Sequence, residues 1–310
     1  MKKILLVASA AILITIILLF VLIPDTIVVS KVTYTNLKPA SVLRCLRDDA
    51  KWEQWFPGSN NQDSYIYKGQ KFEIGKRTYS STDISIMRDN ITYHSSINVI
   101  AISGDSSAIQ WALSFKTSIN FIKRFIQYQT AKDIKEDFEF LLDNFKTFIL
   151  QPKNIYGFNV HQTTLTDTSL VAIKTVTTEY PSTQLIYSFV NQLKGYIQQQ
   201  HATEHNFPML NITQLQDSSY EVMVGIPTNV PLTGNNIIKP KRMVMLKDKT
   251  LVTDVTGDNN TIKKAFNATG NYMNDNGLSS PVIPFQQLVT DRSKEKDSTK
   301  WITKIFTPVS

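Results

Sequence analysis

Three features of this 310-residue sequence predict an α+β protein with two sheet domains behind an apolar N-terminal helix. Between Ser64 and Ser118, β-rich runs alternate with turn signals, and the stretch that follows to residue 150 carries apolar residues at helical spacing. Beyond "QPKNIYG" (151 to 157), a strand–helix–strand–strand pattern occurs twice. Ahead of both, Ile4 to Ile23 is twenty uncharged residues, long enough at ~1.5 Å per residue to span the ~30 Å hydrocarbon core.

The N-terminal run reads as an uncleaved transmembrane anchor, residues 1–25, with residues 4–23 in the bilayer. A cleaved signal peptide is the alternative, since Ala8-Ser9-Ala10 has small-residue character, but ten and more apolar residues follow it. No Cys directly follows the run, which excludes a lipoprotein. Lys2 and Lys3 precede it and Asp25 follows, so the positive-inside rule predicts a single-pass protein of a bacterial cell membrane with its bulk on the extracytoplasmic, periplasmic side.

Residues 26–150 form the first predicted domain. "TIVVSKVT" is a β-branched strand; a short helix opened by Pro39 and Ser41 then leads to Trp52, Trp55 and Phe56 before a Pro-Gly stop. Turns are expected at Lys68-Gly69, Ile74-Gly75, Arg88-Asp89-Asn90 and Gly104-Asp105. Ile134, Phe138, Leu141, Phe145 and Phe148 then recur at steps of four, three, four and three, one apolar stripe of a long helix for a sheet to wrap. The three bulky aromatics are expected to plug the core.

Residues 157–310 form the second. "LVAIKTVTT" from Leu170 pairs with "LVTDVTGDN" from Leu251, and Pro227 with Pro308, each 81 apart; the helical stretches between carry Tyr196 and Tyr272 near their ends, 76 apart. Two such halves about a pseudo-twofold axis leave a groove suited to a small ligand.

Most catalytic chemistry is absent from the pattern. The sequence has no Gly-x-Ser-x-Gly, P-loop or Gly-x-Gly-x-x-Gly, and 11 glycines leave little for phosphate cradles. No cofactor is expected. His201 and His205 flank Glu204 in the wrong order for a zinc helix, and lone Cys45 supports neither a disulfide nor a Cys-based metal site. The formal charge is +7, two of it from Lys2 and Lys3, and its one tight cluster is Lys239, Lys241 and Arg242. With no helix-turn-helix, finger or RNA-reading motif, nucleic acid is not an expected partner. Asp48-Asp49 and Glu136-Asp137 read as solvated surface. Tyr180, Tyr187, Tyr220, Tyr272 and Trp301 are candidate walls of a ligand groove.

In "PFQQLVTD" (284 to 291), a period of two puts Gln286, Leu288 and Thr290 on one face and Phe285, Gln287 and Val289 on the other. The ending "PFQQLVTDRSKEKDSTKWITKIFTPV" resembles that of the gyrase-inhibitor-like bacterial effector-binding domains also attached to AraC-type and MerR-type regulators. These carry Pro, Glu-x-Tyr-x-x-Asp, a Trp and a final apolar strand ending Pro-Val. Residues 26–150, with "DDAKWEQWFPGS" and the closing helix, resemble the START-like (SRPBCC, polyketide-cyclase-type) superfamily, a helix-grip fold. The resemblance implies that Gln286 stands where the family has a groove glutamate and Leu288 where it has a tyrosine, while Asp291 and Trp301 keep their places. A one-residue slip would put Gln287 there instead. Gln keeps the hydrogen-bonding capacity but neither the charge nor a useful proton-transfer pKa, so attraction of cations should weaken and the family's hydrolytic route should be lost.

The expected function is therefore a membrane-anchored, non-enzymatic binder of hydrophobic or amphipathic small molecules, through Gln286, Trp301, Tyr187, Tyr220, Tyr272 and Tyr180. Two alternatives stand beside it. One is a cyclase- or hydrolase-like enzyme using His94, Glu73 or Asp83 in the START-like cavity; the other is a ligand sensor signalling through a membrane partner.

Overall fold

A computed structural model describes residues 2–61, 64–165, 169–243 and 249–310. The chain divides into two compact units, Met1–Gln151 and Pro152–Ser310.

The first unit runs α1 (Lys2–Leu22), β1 (Thr26–Thr35), α2 (Pro39–Arg47), α3 (Asp49–Trp55), β2 (Ser59–Asn61), β3 (Ser64–Tyr67), β4 (Gln70–Arg77), β5 (Ser81–Arg88), β6 (Ile91–Ser103), β7 (Ser106–Lys116) and α4 (Phe121–Ile149). Its seven strands form one antiparallel sheet in the order β1-β7-β6-β5-β4-β3-β2. α4 starts where the Asn120 side chain accepts the amide hydrogens of Ile122 and Lys123, satisfying donors the first turn leaves orphaned. Its predicted stripe is buried, and Phe138 stacks on Trp111 of β7 with ring centroids 4.5 Å apart. Trp52, Trp55 and Phe56 are buried too, Trp55 against Phe145 at 4.8 Å. The single short helix expected after Lys38 is in fact two, because Asp48 leaves helical geometry and its carboxylate caps α3 at the Ala50 amide.

α1 is helical throughout, and its described apolar side chains are mostly exposed, Ile4, Leu6 and Val7 each by two thirds or more. The side chains at 2, 3, 5 and 12 lie outside the described set. Among the described residues, which leave out the side chains at those four positions of α1, no helix is long and apolar enough to cross a membrane, so the expected transmembrane anchor is not shown by the fold. The end of α1 is fastened to α4: Arg124 donates from Nε to the Ile23 carbonyl at 3.0 Å and from Nη2 to Asp25 at 2.8 Å, and its guanidinium lies 4.7 Å from the Phe20 ring.

The second unit runs α5 (Pro152–Tyr156), β8 (Asn159–Thr163), β9 (Ser169–Thr177), α6 (Thr183–Gln199), β10 (Met209–Gln214), β11 (Tyr220–Pro227), β12 (Lys239–Arg242), β13 (Thr250–Thr256), α7 (Asn259–Asn276), β14 (Phe285–Leu288) and β15 (Ile302–Pro308). Strand–helix–strand–strand occurs as β9-α6-β10-β11 and again as β13-α7-β14-β15. The sheet order β12-β9-β11-β10-β14-β15-β13-β8 places the two repeats as mirror sequences of strands meeting at β10 and β14. β8 and β12 extend the edges, and neither is expected from the repeat. Both helices are capped, α6 by Ser182 at the Leu185 amide and α7 by Asp258 at the Thr261 amide; α7 stops at Gly277, whose φ of 62° is left-handed.

Alternation along the strands assigns the faces. Val171, Ile173, Leu210, Val222, Val224 and Leu288 pack with Ile186, Val190 and Leu193 of α6, so these positions define the helix-bearing face. Val255 and Ile305 meet Ile262 and Ala265 of α7 on the same face.

Candidate functional site

The register of β14 fixes which amide faces the helices. Gln286 lies opposite Leu210 and Ile305, both on the helix-bearing face, whereas Gln287 lies opposite Met209 and Lys304 on the other. Gln286 is 5% exposed, and the period-two reading of "PFQQLVTD" therefore holds as far as Leu288. Past that point the chain leaves the ladder, with the Thr290 amide held by the Ile302 carbonyl.

What Gln286 meets is an arginine. Arg292, 6% exposed, donates from Nη2 to the Thr303 hydroxyl at 2.7 Å and, at the long limit of 3.5 Å, to Gln286 Oε1. Its guanidinium lies 4.9 Å from the Trp301 ring centre, and its buried Nε has no hydrogen-bond partner. From α6, the Tyr187 hydroxyl accepts the Arg292 backbone N–H at 2.7 Å and donates to the Thr290 carbonyl at 3.1 Å. Trp301 is pinned in turn by its indole N–H to the Glu295 carbonyl at 2.9 Å. Among the described residues, no carboxylate lies within ion-pair distance of Arg292.

The electrostatics follow from that enclosure. Burial draws Arg292 below the usual guanidinium range, with Tyr187 and Tyr180 acting in the opposite direction. Burial likewise pushes the Tyr187 and Tyr180 phenols up, while the Arg292 charge holds Tyr180 back. A cation–π contact contributes about 0.5–2 kcal/mol, whereas an ion taken from water costs several kcal/mol even after relaxation. The Trp301 ring thus offsets only part of the cost of burying this charge.

Of the six expected site residues, Gln286, Trp301 and Tyr187 touch Arg292, and Tyr180 acts on it electrostatically. Tyr220 joins through Tyr180, the two rings 5.5 Å apart. Tyr272 stands apart on α7, its ring 5.3 Å from Tyr156 and packed against Val160, Leu251 and Val309. Arg292 itself is not singled out by the sequence reading. Nothing in its local pattern marks it, because it acts by reaching back to a strand that has already ended at Leu288.

Gln286 also lines an open groove of about 590 Å³ on the helix-bearing side, with Leu210, Ile212, Phe266, Val282 and Ile283 among its walls. On the opposite face a second cavity of about 300 Å³ is lined by Leu170, Met209, Met223 and Phe285, with Lys241 and Arg242 at its edge. Gln287 lies on that second face and donates to Asn206 Oδ1 at 2.9 Å.

In the first unit the candidate catalytic groups point away from the interior. On β6 the odd-numbered Tyr93, Ser95 and Ile97 are buried, and His94 is exposed, hydrogen-bonded to Ser85 at 3.3 Å. Asp83 is exposed between buried Thr82 and Ile84, and Glu73, half-buried beside buried Phe72, pairs with Lys71. The buried acid is Asp137 of α4, read from sequence as surface. It accepts from Lys68 Nζ at 2.7 Å and Gln70 Nε2 at 2.8 Å, so both oxygens are occupied. α6 ends at Gln199, which leaves His201 and His205 outside any helix.

No family model matches the chain, and no curated protein matches it. Among solved structures, the EcmrR C-terminal domain is similar at 13% identity over 49% of this chain and 98% of that one, with a TM-score of 0.40. A hydrolase from Listeria innocua is similar at 10% identity over 49% of this chain and 91% of that one, TM-score 0.36. The Aha1 dimer from Colwellia psychrerythraea is similar at 9% over 40% and 96%, TM-score 0.31. Likenesses of this strength settle neither an activity nor a ligand for this chain.

Proposed function

We propose that this protein binds hydrophobic or amphipathic small molecules in the groove bordered by Gln286, without turning them over, and that residues 4–23 hold it in a bacterial membrane with the rest outside the cytoplasm. The observation that carries the binding reading is the groove itself. A volume of about 590 Å³ falls in the range of small-molecule sites, more than half of its wall residues are apolar, and the buried amides of Asn211 and Gln286 supply polar contacts. Anchoring is supported by the uncharged run from Ile4 to Ile23 and by the exposure of the described apolar side chains of α1, a surface that lipid would cover.

Hydrogen exchange of the full chain in lipid nanodiscs, with and without octanol, tests the binding reading. Protection should appear in residues 209–214 and 280–288; exchange unchanged by any amphiphile would dismiss it. Washing membranes with alkaline carbonate tests the anchor separately, since an anchored chain stays in the pellet and a peripheral one is released.

A further inference from the structure

We infer that the groove is built for an amphipathic anion whose head group pairs with the guanidinium of Arg292. This deepens the binding reading above and rests on it. Arg292 is 6% exposed and carries a buried Nε with no partner. Buried charges in proteins are paired or else strongly disfavoured, and an unsatisfied buried donor asks for a physical account. An unmatched donor alone does not set Arg292 apart, since Arg77 Nε and Arg88 Nη1 are also buried without a partner; the carboxylate does, for Arg124 has Asp25, Arg77 has Asp49 and Arg88 has Asp133. The groups facing Arg292 are instead neutral: the amide of Gln286, the hydroxyl of Thr303, the phenols of Tyr187 and Tyr180, and the ring of Trp301.

The missing counter-charge can come from the groove, because Gln286 belongs to both. One side of this residue lines the open volume, and its Oε1 takes the longest of the guanidinium's contacts, 3.5 Å. That is the contact a carboxylate would replace most readily, since a charge-assisted, two-point pair with guanidinium is stronger than one long amide bond. The apolar walls from Leu210, Ile212, Phe266 and Val282 suit the tail. The ligand class is thus a carboxylate or phosphate head on a hydrocarbon body.

The test uses the full chain in nanodiscs and four probes of one chain length: octanoate, octanol, octyltrimethylammonium and octyl phosphate, the last to separate the two anionic head groups. Thermal unfolding of the wild type should shift at a concentration of octanoate or octyl phosphate at least tenfold lower than of octanol, and the cation should be the weakest. Arg292→Met should bring octanoate and octanol level, while Arg292→Lys should keep part of the preference. Should Arg292→Met not fold, Gln286→Glu answers the same question: its carboxylate would pair with Arg292 internally and erase the preference for anions. Equal response to octanol and octanoate in the wild type, or preference for the cation, overturns the inference and leaves the binding reading standing. No response to any probe overturns both.

Discussion

Among the described residues two arginines are buried, Arg124 and Arg292, and the chain treats them in opposite ways. Arg124 spends its guanidinium on the Ile23 carbonyl and on Asp25, a carboxylate whose far side remains in water. Arg292 is enclosed by an amide, a hydroxyl and rings, with Nε unpaired. The first arrangement has the marks of a structural clamp, since every strong contact it makes ties the end of α1 and the start of β1 to α4. The second has no carboxylate among its contacts to offset the cost of burial, which is the observation behind the external anion inferred above. The difference teaches that burial alone does not distinguish a paired charge from an unpaired one; the identity of the partners does.

The largest effect expected is on the clamp. Arg124→Met should destabilise the first unit by about 2–3 kcal/mol, the range for losing hydrogen bonds to a charged group, with Asp25 simply returning to solvent. Arg292→Met should change the second unit by no more than about 1 kcal/mol in either direction, because removing an unpaired buried charge offsets the partners lost by Thr303 and Gln286. Hydrogen exchange reads the two units apart, in α4 for the first and in β14 and β15 for the second. Equal losses at both positions would erase the distinction between them.

How far the sequence reveals this is uneven, and the reason is range. The long helix of the first unit shows in the spacing of Ile134, Phe138, Leu141, Phe145 and Phe148, because burial on one face imprints a local period. The repeat of the second unit shows in matched pairs such as Leu170 with Leu251 and Pro227 with Pro308, which end up as the same positions of equivalent strands. The faces of β14 are also readable, since alternation is local. Arg292 is not readable in this way: its partners come from β14, β15, α6 and the segment before it, and no period links them. Asp137 escapes for a similar reason, its neighbours Lys68 and Gln70 lying more than sixty residues away, so an acid in a charged stretch passes for surface. The break at Asp48 is hidden because capping competes with helix continuation through one side chain, which composition does not reveal. The sequence notes what Gln286 lacks, an acid, and only the structure adds the base beside it.

That base changes what restoring the acid would do. From the resemblance alone, Gln286→Glu should return a free negative charge to the groove and attract cations. With Arg292 Nη2 at 3.5 Å, the new carboxylate should pair internally instead. We expect a gain of about 1–2 kcal/mol at neutral pH, below the gross attraction because both groups stay dehydrated. Arg292 would depress the pKa of the introduced carboxyl in the folded state below its unfolded value of about 4.3. The gain is therefore present above that value and lost as pH falls through the folded-state pKa. Urea unfolding at pH 7 and in acid measures it. A variant less stable at pH 7 and recovering in acid would show that the carboxylate stays unpaired, and the comparison between the two arginines would then fail at its second member.

The smallest of these effects sharpens the comparison by removing a contact that Arg292 makes through its backbone. The Tyr187 hydroxyl accepts the Arg292 N–H and donates to the Thr290 carbonyl, holding the turn that carries the guanidinium back to β14. Tyr187→Phe should cost about 1 kcal/mol at neutral pH, the net worth of such bonds, and should weaken any preference for anionic amphiphiles by loosening the position of the charge. Alkali adds a second readout. Burial raises the phenol's pKa in the folded protein above its unfolded value of about 10, so the unfolded chain releases this proton first. The stability linked to that proton is complete below about pH 10 and declines as pH rises towards the folded-state pKa. Tyr65, Tyr93, Tyr180 and Tyr272 are raised by burial as well, so the variant should flatten the alkaline decline without abolishing it. An alkaline decline identical to the wild type would mean that the Tyr187 hydroxyl already reaches water, and that the turn above Arg292 opens far enough for an anion to enter from that side.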